Sequence, residues 1–317
     1  MAERRPAAEG VAAAAKRLAS HVTRTPLLPL DWGGNRVWIK AECLQQGGSF
    51  KLRGAMNRLL LLSDAERARG VVAFSSGNHA QGVAIAAKRL GIEATIVMPS
   101  DAPAVKRDAT LAAGAKIVPY DRETESREEI GARIAREQDC ALVPSFDDVD
   151  VIEGQGSAGV EIAEQLGEMP DTVLVPCGGG GLSAGIALAL PEAEIVTVEP
   201  LGWDDMARSI VAGEPVPVVE PAPPTRCDAL QTKRVSTLTL GALRDSGARG
   251  IAVTEGEIEA AMAFAMRQLR IVAEPGGSVA LAALLAGKAG AVSDRTVIVV
   301  SGGNVDPSLY AEIVAGS

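Results

Sequence analysis

Aromatic residues are scarce: four Phe, three Trp and two Tyr make up 3% of the 317-residue chain. Its interior therefore has to be assembled from Ala, Val, Leu and Ile, which suits helices packed on a parallel sheet. Histidine occurs only twice. The four cysteines (Cys43, Cys140, Cys177, Cys227) show no C-x-x-C spacing, so neither a zinc cluster nor a disulfide framework is signalled, and a reducing cytoplasm fits best. Basic charge is also in deficit. A net charge of −9 excludes the broad basic face that nucleic acid or anionic lipid would require. No apolar run approaches the ~20 residues that span a bilayer. The N-terminal MAERRPAAEGVAAAAKRLASHV has no apolar signal core and reads as a charged amphipathic helix. The chain is therefore expected to be free of membrane and nucleic-acid partners.

What recurs instead is the short β-branched run: VWIKAE near 37, GVVAF at 70, ATIVMP at 94, AKIVPY at 115, TVLVPC at 172, EIVTVEP at 194, GIAVT at 250 and TVIVVS at 296. Helical patterns separate most of them, and this alternation is the signature of βα units. The expected fold is α/β with two lobes, each a largely parallel open sheet flanked by helices. Residues 1–71 and 146–317 would form the larger lobe, and 72–145 a smaller one inserted into it. The Pro-rich EPVPVVEPAPPT (214–225) cannot be helical and reads as a surface loop.

Three glycine-rich turns follow strands. In PCGGGGLSAGIALAL (176–190), four glycines open a helix, so their amides form either a phosphate cradle or a tight strand-to-helix turn. No Gly-Lys-Ser/Thr follows, and G-x-G-x-x-G spacing is absent, which excludes the common nucleotide loops. SSGNHAQGVA (75–84) pairs a helix cap with amides suited to a carboxylate, or is an ordinary cap with solvated Asn78 and His79. SGGNVD (301–306) is the third. Turns at the carboxyl ends of strands converge on one crevice in open α/β sheets. GGSFKLRGAMN (47–57) starts a helix at Lys51, beside Phe50. An ammonium in the positive field of a helix N-terminus favours its neutral, imine-forming state, although a solvated first-turn lysine is the plainer reading.

Together with WIKAECLQQ, MPSDAPAVK, GQGSAGVEI, VEP and EPGGSVALAALL, these segments occur in the order and spacing of a known family. The chain resembles the serine racemase and threonine (serine) dehydratase family of fold-type II pyridoxal-phosphate enzymes, whose architecture is tryptophan synthase β-like. The resemblance implies that Lys51 holds the cofactor through a Schiff base, Phe50 packs near its ring and Asn78 meets the ring hydroxyl. It also implies that Gly178, Gly179, Gly180, Gly181 and Leu182 hold the phosphate, and that Ser301 faces the pyridine nitrogen. Ser75, Ser76, Gly77, Asn78 and His79 would take the substrate carboxylate. Lys51 would then remove the Cα proton and the β-hydroxyl would leave as water.

The implied activity is deamination of a β-hydroxy amino acid such as serine, threonine or 3-hydroxyaspartate to a 2-keto acid and ammonia. Racemisation of an amino acid and non-catalytic cofactor binding are the alternatives. Ser76 is either a second acid–base facing Cα opposite the lysine, or a cap and carboxylate contact. VEPLGWDDMARS (198–209) matches a stretch in which relatives bind Mg²⁺ or Ca²⁺, here through Glu199, the backbone carbonyl of Trp203 and Asp205; the plainer reading is a solvated acidic helix start. Arg127 is a candidate partner for a second substrate carboxylate, or part of a solvated helix face. Relatives are usually dimers, so a homodimer is expected. The chain stops soon after SGGNVD, so no appended regulatory domain is expected.

Overall fold

A computed structural model describes residues 4–75, 77–102 and 104–316. One sheet has six strands, which are β1 (Leu27–Trp32), β2 (Asn35–Ala41), β7 (Thr172–Pro176), β8 (Glu194–Pro200), β9 (Arg249–Val253) and β10 (Thr296–Val300), in the order β1-β2-β10-β7-β8-β9. The other has four, which are β3 (Val71–Phe74), β4 (Ala94–Pro99), β5 (Lys116–Tyr120) and β6 (Ala141–Leu142), in the order β5-β4-β3-β6. All pairings are parallel except β1 with β2, a hairpin closed by Gly33 and Gly34. The chain thus begins the six-stranded sheet, leaves it to build the four-stranded one, and returns. Every β-branched run named above forms a strand. Two strands lacked that signal: β1 reads LLPLDW, and β6 is two residues long. No helix or strand crosses 214–225.

Strands β7 and β10 are buried along their whole length, as expected of parallel strands covered on both faces. The helix Lys51–Leu60 lies between the sheets. Its Leu52, Ala55, Met56 and Leu59 join the core under the four-stranded sheet. On its other side it meets the 18-residue helix Val149–Leu166. That crossing is close because it is made of glycines. A Cβ on Gly154 would lie 2.8 Å from the Gly54 Cα and 2.9 Å from the Arg53 carbonyl oxygen, so neither helix could approach as it does with alanine there.

The start of the Lys51 helix is held by charge. Arg53 is fully buried and donates to both oxygens of Glu42 and both oxygens of Glu161, each at 2.8 Å. Lys40 on β2 donates to the same Glu161 at 2.6 Å. Burial penalises each charge, yet Arg53 draws the Glu42 carboxyl below its ordinary range and Glu42 raises the guanidinium in return. Removing one partner of a buried pair leaves the other uncompensated, at a cost of about 3–5 kcal/mol. Arg53→Met is expected to lower the urea midpoint by an amount equivalent to that loss, read by circular dichroism at unchanged slope.

Candidate active site

The loop that delivers Lys51 is stitched to the SGGNVD turn. Phe50 N donates to the Ser301 carbonyl (3.2 Å) and Gly303 N to the Gly48 carbonyl (2.8 Å), with Ser49 and Gly302 forming a bridge between them. Lys51 is the first residue of its helix. Its Nζ lies 2.9 Å from the Ser145 carbonyl oxygen, to which it donates, and 5.1 Å from the centre of the Phe50 ring. Burial lowers the amine from its ordinary range to about 8, against the opposing charge of Glu274.

One hollow gathers Phe50, Lys51, Asn78, the four glycines 178–181, Leu182 and Ser301, every residue expected to hold the cofactor. The glycines follow β7. Gly180, in the left-handed conformation (φ 86°), precedes the helix Gly181–Ala189, so the first amides of that helix are free to face the hollow. Above them lies Phe146; a Cβ on Gly179 would sit 2.3 Å from its ring. Amides at a helix N-terminus suit a phosphate, Phe50 and Leu182 give apolar walls, and the Lys51 amine suits an aldehyde. The residues present therefore fit pyridoxal phosphate.

A second hollow adjoins the first through Lys51, Asn78 and Glu274, and takes in Ser75, Gly77, His79 and Arg127. Ser76 lies outside the described residues. Gly77 caps the helix Asn78–Leu90, and its N donates to Ser75 Oγ (3.2 Å). Asn78 and His79 are buried, so the reading of them as solvated cap residues does not hold. His79 donates from Nε2 to the Val143 carbonyl (2.8 Å); burial, with the charge of Lys51, lowers it to about 3 and keeps the ring neutral. Arg127 opens its helix with the guanidinium 5.8 Å from the Phe74 ring and Nε 2.9 Å from Glu128 Oε1. Lys106, paired with Asp228, also lines this hollow. Sequence reasoning missed Lys106, Phe146, Thr232 and Glu274. Phe146 lies in PSFDD (144–148), Lys106 ends MPSDAPAVK and Glu274 begins EPGGSVALAALL, but none of these segments singles out the side chain, and Thr232 lies in no named motif.

Glu199 and Asp205 stand apart from both hollows and are fully buried, which overturns the reading of a solvated acidic helix start. Glu199 accepts from the amides of Met206 (2.9 Å) and Ala207 (2.8 Å). Both Asp205 oxygens are buried without a hydrogen-bond partner. Burial raises both acids, Asp205 to about 7 and Glu199 well above its ordinary value, with Asp205 adding repulsion to Glu199. Orphaned buried carboxylate oxygens fit a hard cation. Among the described residues no three His, Cys, Asp or Glu side chains converge on such a point.

The lowered amine makes a kinetic prediction. Covalent attachment of pyridoxal phosphate to the apo-protein, followed by visible absorbance, should accelerate about tenfold per pH unit up to about pH 8 and then level off. An ordinary lysine would keep accelerating beyond pH 10.

Comparison with known proteins converges on the same chemistry. Residues 18–302 match the family model described as pyridoxal-phosphate dependent enzyme. An L-threo-3-hydroxyaspartate ammonia-lyase from a Pseudomonas species is 43% identical over 96% of this chain and 97% of its own. Its counterpart from Saccharomyces cerevisiae is 40% identical over 96% and 94%. Among solved structures, maize serine racemase superposes with a TM-score of 0.91 at 36% identity, covering 99% of this chain and 98% of its own. The lysine at the mouth of a glycine-lined hollow and the match along almost the whole chain lead to one assignment: this protein belongs to the pyridoxal-phosphate dependent enzyme family, fold type II.

Proposed function

We propose that the protein is an ammonia-lyase for β-hydroxy amino acids, with 3-hydroxyaspartate as its preferred substrate class. The observation that carries this reading is Arg127, which lines the hollow that opens from the Lys51 amine, beside Lys106 and its partner Asp228. A serine or threonine side chain has no use for that guanidinium, whereas a β-carboxylate does. The two relatives named for L-threo-3-hydroxyaspartate support the same choice.

When bound, pyridoxal phosphate supplies the electron sink that makes the substrate Cα–H acidic. Gly178, Gly179, Gly180, Gly181 and Leu182 would hold its phosphate, Phe50 its ring face, Asn78 its ring hydroxyl and Ser301 its ring nitrogen. The amides of Asn78 and His79, at the start of their helix, would orient the α-carboxylate, with the neutral imidazole of His79 adding no charge of its own. Arg127 holds the β-carboxylate and so fixes rotation about Cα–Cβ. Lys51, with an appreciable neutral fraction near neutral pH, accepts the Cα proton at Nζ. The β-hydroxyl leaves as water, and hydrolysis of the released product yields the 2-keto acid and ammonia. The small lobe, 72–145, would carry the carboxylate-binding turn and the large lobe the phosphate. Glu199, Asp205 and the Trp203 carbonyl would hold Mg²⁺ or Ca²⁺. The free, mostly buried thiols fit a reducing cytoplasm, with a homodimer as the working unit.

A second reading, amino-acid racemisation, is favoured by the likeness to serine racemases and rests on Ser76 returning a proton to the other face of Cα. Keto-acid and ammonia release, measured beside chiral analysis on serine, threonine and 3-hydroxyaspartate, separates the two. We expect the highest kcat/KM for ammonia release from 3-hydroxyaspartate. Arg127→Met should lower that value about tenfold or more while changing serine turnover less than about threefold. Inversion without ammonia would establish the racemase, and bound cofactor without any turnover would establish a non-catalytic protein. For the cation, Mg²⁺ or Ca²⁺ should raise the thermal midpoint of the wild type but not that of Asp205→Asn.

A further inference from the structure

Nothing in the reaction outlined above uses Glu274, yet its carboxyl is buried at the seam where the two hollows meet. It precedes the helix Pro275–Leu285 without capping it. Instead its Oε1 accepts from Asn78 Nδ2 at 2.6 Å, while its backbone N donates to the Gly302 carbonyl at 3.0 Å. At the other end, Asn78 Oδ1 accepts from Asn304 Nδ2 at 2.8 Å, and that same Nδ2 donates to the Gly47 carbonyl at 2.7 Å.

The chain of partners has only one consistent sense. A backbone carbonyl can only accept, so Gly47 requires the Asn304 amide nitrogen on its side. That nitrogen presents its second hydrogen to Asn78 at 2.8 Å, with Gln81 Oε1 a more distant acceptor at 3.4 Å, so Asn78 answers with its oxygen. The Asn78 nitrogen is thereby turned toward Glu274, and one of its two hydrogens is taken. The carboxamide is pinned at both ends, by residues from the six-stranded side of the molecule acting on a residue from the four-stranded side. Burial and the nearby charge of Asp228 push the Glu274 carboxyl up to about 8, with Asn78, Lys106 and Lys51 opposing, so the group acts near neutral pH mainly as a neutral acceptor.

We propose that Glu274 is a positioning residue for the cofactor: with Asn304 it locks the Asn78 carboxamide so that its remaining N–H serves the hollow where the ring hydroxyl would lie. The inference rests on the reading of that hollow as the pyridoxal-phosphate site. The hydrogen-bond acceptor matters, and the negative charge does not. A fixed donor costs no reorganisation when the cofactor arrives, whereas a carboxamide free to rotate does.

The test uses Glu274→Gln, which keeps the acceptor, Glu274→Ala, which removes it, and Asn304→Ala, which cuts the other end. For each, the dissociation constant of pyridoxal phosphate from apo-protein is measured by equilibrium dialysis. The visible absorption of the bound cofactor, kcat and KM are recorded on the same preparations. We expect Glu274→Ala to weaken cofactor binding about tenfold or more, shift the absorption maximum and lower kcat, with KM changed less than about threefold. Glu274→Gln should rescue all of these. Asn304→Ala should reproduce the alanine phenotype and supplies the answer if Glu274→Ala fails to fold. Wild-type affinity and spectrum in either alanine variant, or a Glu274→Gln as impaired as Glu274→Ala, would overturn the proposal. The affinity and spectral readouts need no substrate, so a wild type that released no ammonia would refute the proposed activity and leave this inference to be judged separately.

Discussion

Arg53 is the constraint on which the site depends. Two residues after the lysine that faces the hollow, a fully buried guanidinium is tied to Glu42 at the end of β2 and to Glu161 on the longest helix. Lys40 on β2 reaches Glu161 as well. A hydrophobic cluster at this place could slide, because apolar contact is nondirectional. A bidentate guanidinium bound to two carboxylates cannot, since its hydrogen bonds define both position and orientation. The first turn of the Lys51 helix is therefore fixed relative to the six-stranded sheet, even though its apolar face packs into the core of the four-stranded one.

That placement gives the lysine its chemistry. At the first turn of a helix, with protein around it, the amine loses solvation and drops toward neutral pH. The surrounding groups are set so that little opposes this. His79 is held neutral by burial, and Glu274, the carboxyl whose charge would pull the amine back up, is itself pushed toward its uncharged form. Arg127, Lys106 and Asp228 line the outer hollow alone, whereas Lys51 and Glu274 line both. The inner hollow adds the glycine turn, Phe50 and Leu182, a lining that suits a phosphorylated aromatic group.

Much of this could be read from residue order. The β-branched runs mark eight strands because buried parallel strands need uninterrupted Val, Ile and Leu. β1 escaped notice because Pro29 and Asp31 break its pattern, and it survives by pairing in a hairpin. GGGG and SGGN mark two turns that line the inner hollow, since loops that approach a ligand through backbone need glycine. GQG (154–156), by contrast, serves a helix crossing. Glu274 was invisible for a physical reason: Glu-Pro-Gly-Gly is what an ordinary exposed helix start looks like, and its burial arises only when Asn78, distant by 196 positions, is folded against it. Lys106 likewise acquires meaning only across the cleft from Asp228. Local motifs report backbone demands, and side chains that act on partners far away in sequence leave no local trace.

The central claim, that Lys51 is the cofactor anchor, is tested most directly by reducing the cofactor-loaded protein with borohydride, digesting it and sequencing the phosphopyridoxyl peptide by mass spectrometry. A single modified lysine, Lys51, is expected within GGSFKLRGAMN. A label at another lysine, or a protein that carries pyridoxal phosphate with no reducible bond to Lys51, would contradict it.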